Sequence, residues 1–124
     1  MIDQEDVGRL VVGCAMKVHS ALGPGLLESA YETCMVHELS GQGLKVQKQV
    51  AMPVRYEGIA MNCGYRPDLL VERAVVVELK PVDGLNDVHL AQIPGCPRPG
   101  GFRPGYLLNF NVRHMKDGIR RVVD

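Results

Sequence analysis

Three charged residues, Asp68, Glu78 and Lys80, have the types and the spacing for metal-assisted chemistry. They fall within residues 65–80, where two apolar runs flank a short charged turn at Glu72-Arg73. If the runs pair as antiparallel strands, Asp68 and Glu78 come together at one end of a sheet. Two carboxylates held close repel each other unless a cation sits between them. Hard oxygen ligands of this kind suit Mg²⁺ or Mn²⁺. Lys80 is two residues after Glu78 and so shares its strand face. Placed there, it can orient or deprotonate a water, or offset charge that builds on a phosphate. The chemistry is metal-assisted hydrolysis of a phosphodiester. The same residues also read as an ordinary charged strand end, with Glu78 paired to Lys80 or to an arginine. Either way, charges closing a buried strand are costly unless paired or bound to something.

Several elements must position this group. Val75, Val76 and Val77 are consecutive and β-branched, which predicts a central strand covered on both faces. Upstream, Val11, Ala15, Val18 and Leu22 make one apolar stripe and predict a helix over 6–22, capped by Asp3 or Asp6. His19 adjoins the stripe and reads as a boundary histidine rather than a catalytic one. Gly23-Pro24-Gly25 ends the helix. A second helix is predicted over 26–40 from Leu27, Tyr31, Met35 and Leu39. Glu28 lies in its first turn, where the helix dipole alone accounts for a carboxylate. It also shares a face with Tyr31 and the apolar stripe, so it can point inward as a functional group.

Residues 44–56 alternate loosely and predict one extended strand, with a hairpin partner over 59–65. Beyond Lys80, a loop at Asp83-Gly84 leads to a short helix containing His89 to Ile93, capped by Asn86 or Asp87. Between 94 and 105, eight of twelve residues are proline or glycine, which predicts an irregular segment. A last strand is expected over 106–110 and a short helix over 117–123. Arg113, His114, Lys116, Arg120 and Arg121 make the end of the chain its most basic part. They read as a solvated face or, less simply, as a phosphate-binding patch.

At 124 residues the chain fits one domain, 1–124, and 46% apolar residues supply a core. Lys plus Arg and Asp plus Glu balance at 14 each, so a globally basic nucleic-acid footprint is absent. The four cysteines form no C-x-x-C pair and no zinc spacing, which predicts free thiols in a reducing cytoplasm. The start of the chain is acidic and no apolar run reaches membrane-spanning length, so no membrane association is expected.

Several motifs occur in a fixed order: Gly25-Leu26-Leu27-Glu28-Ser29-Ala30-Tyr31, Gly64-Tyr65-Arg66-Pro67-Asp68-Leu69-Leu70-Val71, Val77-Glu78-Leu79-Lys80, Ala91-Gln92 and Leu108-Asn109-Phe110-Asn111. Together they resemble the bacterial and archaeal GxxExxY proteins, a compact branch of the PD-(D/E)XK nuclease superfamily. The resemblance runs from about Val11 to Val123. It implies an α/β fold of the restriction-endonuclease-like type, a mixed β-sheet flanked by helices. It implies that Asp68 and Glu78 are acidic metal ligands and Lys80 the catalytic lysine. Glu28 matches a helical glutamate that can add a metal contact, and Leu79 offers its backbone carbonyl. Gln92 matches the glutamine of a Q-x-x-x-Y element, and Tyr31 is the signature tyrosine, with a packing or substrate-positioning role. The departure comes after Gln92, where Cys96 stands in place of the tyrosine and Pro94, Pro97, Pro99 and Pro104 interrupt an expected helix.

The expectation is therefore a Mg²⁺- or Mn²⁺-dependent nuclease acting on DNA, cytoplasmic, with a homodimer compatible with the sequence. The other reading is a weakened or inactive module of the same fold that binds nucleic acid or a protein. A third is a hydrolase of another phosphate substrate.

Overall fold

Val75, Val76 and Val77 form the middle of a five-stranded sheet and are fully buried. The computed structural model describes residues 3–80 and 105–122, and for 52–56, 60–65 and 122 the backbone alone. Gln92, the expected helix around it and 94–104 of the proline-rich segment lie outside the described residues.

The elements are α1 (Gln4–Leu22), α2 (Glu28–Gly41), β1 (Val46–Lys48), β2 (Met52–Tyr56), β3 (Ile59–Tyr65), β4 (Leu69–Val71), β5 (Val75–Leu79), β6 (Gly105–Leu108) and β7 (Ile119–Val122). The main sheet has the order β1-β4-β5-β6-β7. β5 and β6 are parallel and the other neighbours antiparallel, so the sheet is mixed. Strand alternation divides its side chains. Leu69, Val71, Val75, Val77, Leu79 and Leu108 join Val7, Val11, Tyr31 and Met35 of the helices in one core. Leu70 and Val76 point to the opposite face and are also buried. Burying each such side chain contributes about 1.5–3 kcal/mol. The expected central, doubly covered strand and the α/β mixed-sheet class are what the structure has.

The turn between β4 and β5 is tight. Glu72 and Arg73 both have positive φ, at 55° and 50°, and Ala74 N–H donates to the Val71 carbonyl at 3.0 Å. Positive φ at both central residues suits the right-handed strand twist. Lys45 N–H donates to Glu72 Oε2 and Glu72 N–H to the Lys45 carbonyl, which ties the turn to the approach of β1.

Two expectations need correction. Residues 44–56 are not one strand. β1 joins the main sheet beside β4, while β2 pairs with β3 in a separate hairpin. The break is at Gln49, whose φ of 55° cannot continue a strand. The described part of the helix expected over 117–123, residues 117–122, is not an α-helix either. A single 3₁₀ turn, Met115–Gly118, leads into β7, where Ile119 lies opposite Leu108. Pairing with the open edge of β6 satisfies backbone groups that a short exposed helix would leave to water. The two arginines, exposed on this short edge strand, discourage further pairing.

Asp3 caps α1, its carboxylate accepting Asp6 N–H at 2.9 Å. The helix starts near the β4–β5 turn, where the Gln4 side chain reaches the Ala74 carbonyl at 3.4 Å. It ends at the opposite edge of the sheet, where His19 Nε2 lies 2.7 Å from the Val112 carbonyl. His19 is thus a satisfied boundary residue. The edge where β5 and β6 finish therefore gathers the end of α1, the start of α2 and the segment after β6. Among the described residues no helix is long and apolar enough to cross a membrane, and Cys14 and Cys34 are free thiols.

Candidate active site

Asp68 stands one residue before β4, and Glu78 is the fourth residue of β5. The register Leu69↔Val77 and Leu70↔Val76, extended by one step, sets Asp68 opposite Glu78. Both are buried, at 7% and 5% exposure. They interlock through the backbone as well. Asp68 N–H donates to Glu78 Oε1 at 3.1 Å, and Leu79 N–H donates to Asp68 Oδ2 at 2.7 Å. Because a strand residue directs its N–H and C=O to the same neighbour, the Leu79 carbonyl also faces the Asp68 side. Lys80 follows, half-buried, and donates its own N–H the other way, to the Leu108 carbonyl at 2.9 Å.

The electrostatics record the crowding. Burial pushes the Glu78 carboxyl up to about 7, and the Asp68 charge adds to the shift. The Asp68 N–H and the Lys80 charge oppose it. Glu28 is also raised, first by burial, then by the Asp68 charge and a hydrogen bond to its carboxyl that favours a proton on Glu28. Lys80 again pulls the other way and Glu32 adds to the rise. Glu28, Asp68, Glu78 and Lys80 thus converge on one sheet edge: three acids against one lysine.

Glu28 gets there through the loop before it. Gly23 and Gly25 adopt φ of 69° and 95°, which non-glycine residues rarely tolerate. The Tyr31 hydroxyl donates to the Gly23 carbonyl at 2.7 Å and accepts Leu26 N–H at 3.1 Å. Its ring is fully buried and stacked on Phe110, centroids 4.4 Å apart. Tyr31 therefore fastens the loop that sets Glu28 in place, and packing is the role its surroundings give it. Gln92 lies outside the described residues.

Gln49 was missed by sequence reasoning. Its side-chain amide donates to Asp68 Oδ1 at 3.2 Å, and its N–H donates to the Asp68 carbonyl at 3.2 Å. A non-glycine residue at positive φ is strained, and such strain gathers at functional sites. Nothing local in the sequence marks it, because the contact spans 19 residues.

The donor set is all hard oxygen: two interlocked carboxylates, a third beside them and a backbone carbonyl. Each carboxylate oxygen has a second lone pair beyond the N–H it accepts. Mg²⁺ is commonly held by one or two carboxylates together with water and phosphate. The chemistry of Asp68 and Glu78 fits that requirement. Among the described residues no group of three or more His, Cys, Asp or Glu side chains is arranged to hold a metal by itself.

No curated protein and no solved structure gives a significant match to the chain. The family model of the PD-(D/E)XK nuclease superfamily matches residues 5–122.

Proposed function

The chain belongs to the PD-(D/E)XK nuclease superfamily, and from that premise we propose that it is a Mg²⁺- or Mn²⁺-dependent nuclease that hydrolyses phosphodiester bonds in DNA. The observation that carries this reading is the Asp68–Glu78 junction, with Glu28 and Lys80 in electrostatic reach. Within the superfamily, the run from Gly25 to Tyr31 supports placement in the GxxExxY branch. The free thiols accord with a cytoplasmic protein.

In this reading Asp68 and Glu78 hold the metal, with the Leu79 carbonyl and Glu28 beside them. When bound, the metal supplies charge neutralisation at the scissile phosphate and a more acidic water. Lys80 orients the attacking water, or offsets the charge that grows on the phosphate. Gln49 and Leu79 N–H fix the Asp68 carboxylate by holding both of its oxygens. Glu78, held up at about 7, accepts a proton readily near neutral pH, and Glu28 is raised in the same direction by burial and the Asp68 charge. The role of Gln92 in positioning substrate rests on the resemblance alone.

A second reading has its own support. Asp68 and Glu78 already accept protein N–H groups, and no three-ligand cluster stands among the described residues. Both facts suit a module that keeps the fold and binds nucleic acid or a protein without turnover. Cleavage of DNA in Mg²⁺ or Mn²⁺ by the wild type, Glu78→Ala and Lys80→Ala separates the two. The nuclease reading expects cleavage in the wild type and its loss in both variants. Cleavage undiminished in both would sink the assignment, and cleavage by none would favour the module.

A further inference from the structure

The basic residues near the end of the chain do not form one group. Arg120 and Arg121 lie on β7 and are spent on the protein. Arg120 donates to the Asp117 and Ile119 carbonyls, and Arg121 pairs with Glu5 beside the start of α1. Arg113, His114 and Lys116 lie elsewhere. They line a cavity of about 470 Å³ together with Ser20, Gly23 and Pro24. All three are exposed, and among the described residues neither Arg113 nor Lys116 has an ion-pair partner. Among the described residues no acidic side chain lines the cavity.

Its place in the fold matters most. β6 runs parallel to β5, so the segment leaving β6 emerges from the same sheet edge as Glu78 and Lys80. The end of α1 reaches that edge through His19 and Val112. Gly23 and Pro24 form one wall of the cavity, and the same loop runs on to Glu28, beside Asp68. The cavity and the carboxylates therefore both lie at the end of the sheet where β5 and β6 finish, with the loop that Tyr31 fastens running from one towards the other.

A polyanionic substrate has a difficulty at this edge. Three acids against one lysine repel phosphate, and the chain as a whole has no net charge to attract it. Beyond what a bound metal would offset, affinity for the rest of the backbone is raised by cations close by that the protein does not engage. We propose that the cavity lined by Ser20, Arg113, His114 and Lys116 is a phosphate-binding subsite that holds the backbone of a DNA substrate beside the carboxylates. Arginine and lysine contact the phosphate oxygens, and the serine hydroxyl and imidazole add polar partners. The contacts carry no base information, so the subsite sets affinity and register rather than sequence preference. This inference rests on the reading of the protein as acting on nucleic acid.

The test is fluorescence anisotropy of a labelled DNA duplex with the full chain, in EDTA, over a salt series. Replacing both Arg113 and Lys116 with glutamine should weaken binding at low salt by about tenfold or more. It should also lower the slope of log affinity against log salt by about 2. Replacing Arg120 and Arg121 with glutamine should leave that slope near the wild-type value. Inorganic phosphate should displace the duplex from the wild type better than chloride at equal ionic strength. Wild-type binding in the Arg113/Lys116 variant, equal losses in both double variants, or no binding by the wild type would each overturn the subsite. If the binding pattern holds but Mg²⁺ and Mn²⁺ give no cleavage, the subsite stands and the nuclease reading fails.

Discussion

The backbone N–H of Asp68 donates to Glu78 Oε1 at 3.1 Å, so the chain itself holds together two acids whose charges push apart. The β4–β5 hairpin makes this contact unavoidable, because its register sets the two residues opposite each other.

The first concerns pH. Glu78 is raised from 4.5 to about 7, so the folded chain keeps a proton that the unfolded chain releases between those values. The resulting stabilisation is fully present below about pH 4.5 and is lost as pH rises through about 7. Glu78→Gln removes the dependence and keeps an acceptor for Asp68 N–H. In urea unfolding without divalent metal, it should exceed the wild type by on the order of 2 kcal/mol at about pH 8. Near pH 4.5 the two should differ little. A wild type that gains stability relative to this variant as pH rises would contradict the assignment.

Gln49 allows strain and function to be separated. Gln49→Ala loses the bond to Asp68 and keeps the left-handed backbone, at a cost of about 1–2 kcal/mol. Gln49→Gly loses the same bond and relieves the backbone, so it should be about 1 kcal/mol more stable than the alanine variant. If the amide serves Asp68, both variants should slow cleavage alike despite their different stabilities. Activity that follows stability instead would reduce Gln49 to a structural residue.

Tyr31→Phe keeps the stack on Phe110 but leaves Leu26 N–H and the Gly23 carbonyl without the hydroxyl. Chemical denaturation should show a loss of about 1–3 kcal/mol. Cleavage should also fall, because the loop that carries Glu28 is loosened. An unchanged midpoint would mean that water replaces the hydroxyl at no cost.

Two glycines should respond in opposite ways. A Cβ at Gly118 would clash with the Asn109 carbonyl oxygen, part of the turn that brings β7 back to β6. Gly118→Ala should cost about 1–3 kcal/mol or more. Gly13 lies within α1, is exposed and has nothing within 4 Å of an added Cβ. Gly13→Ala should stabilise by about 0.5–1 kcal/mol. Thermal unfolding of the two variants checks both signs.

Much of this fold was legible because the patterns are local. Three consecutive valines mark a doubly covered strand, and the Glu72-Arg73 turn marks the hairpin that sets Asp68 opposite Glu78. Gly23-Pro24-Gly25 separates the helices for reasons of backbone geometry alone. Other parts depend on contacts distant in sequence. Gln49 matters only because Asp68 arrives beside it, and its positive φ splits one apparent strand in two. Residues 119–122 form a strand because β6 offers a free edge, which Arg120 and Arg121 do not announce. The basic residues looked like one cluster in the sequence, and the fold divides them between a cavity and an edge strand.

The central claim, that Asp68 and Glu78 form a metal-holding pair served by Lys80, is tested most directly by calorimetric titration with Mn²⁺ near neutral pH. The account predicts uptake by the wild type, loss of uptake in Asp68→Asn and in Glu78→Gln, and retention in Lys80→Met. No uptake by the wild type at millimolar Mn²⁺, or uptake undiminished in both carboxylate variants, would contradict it.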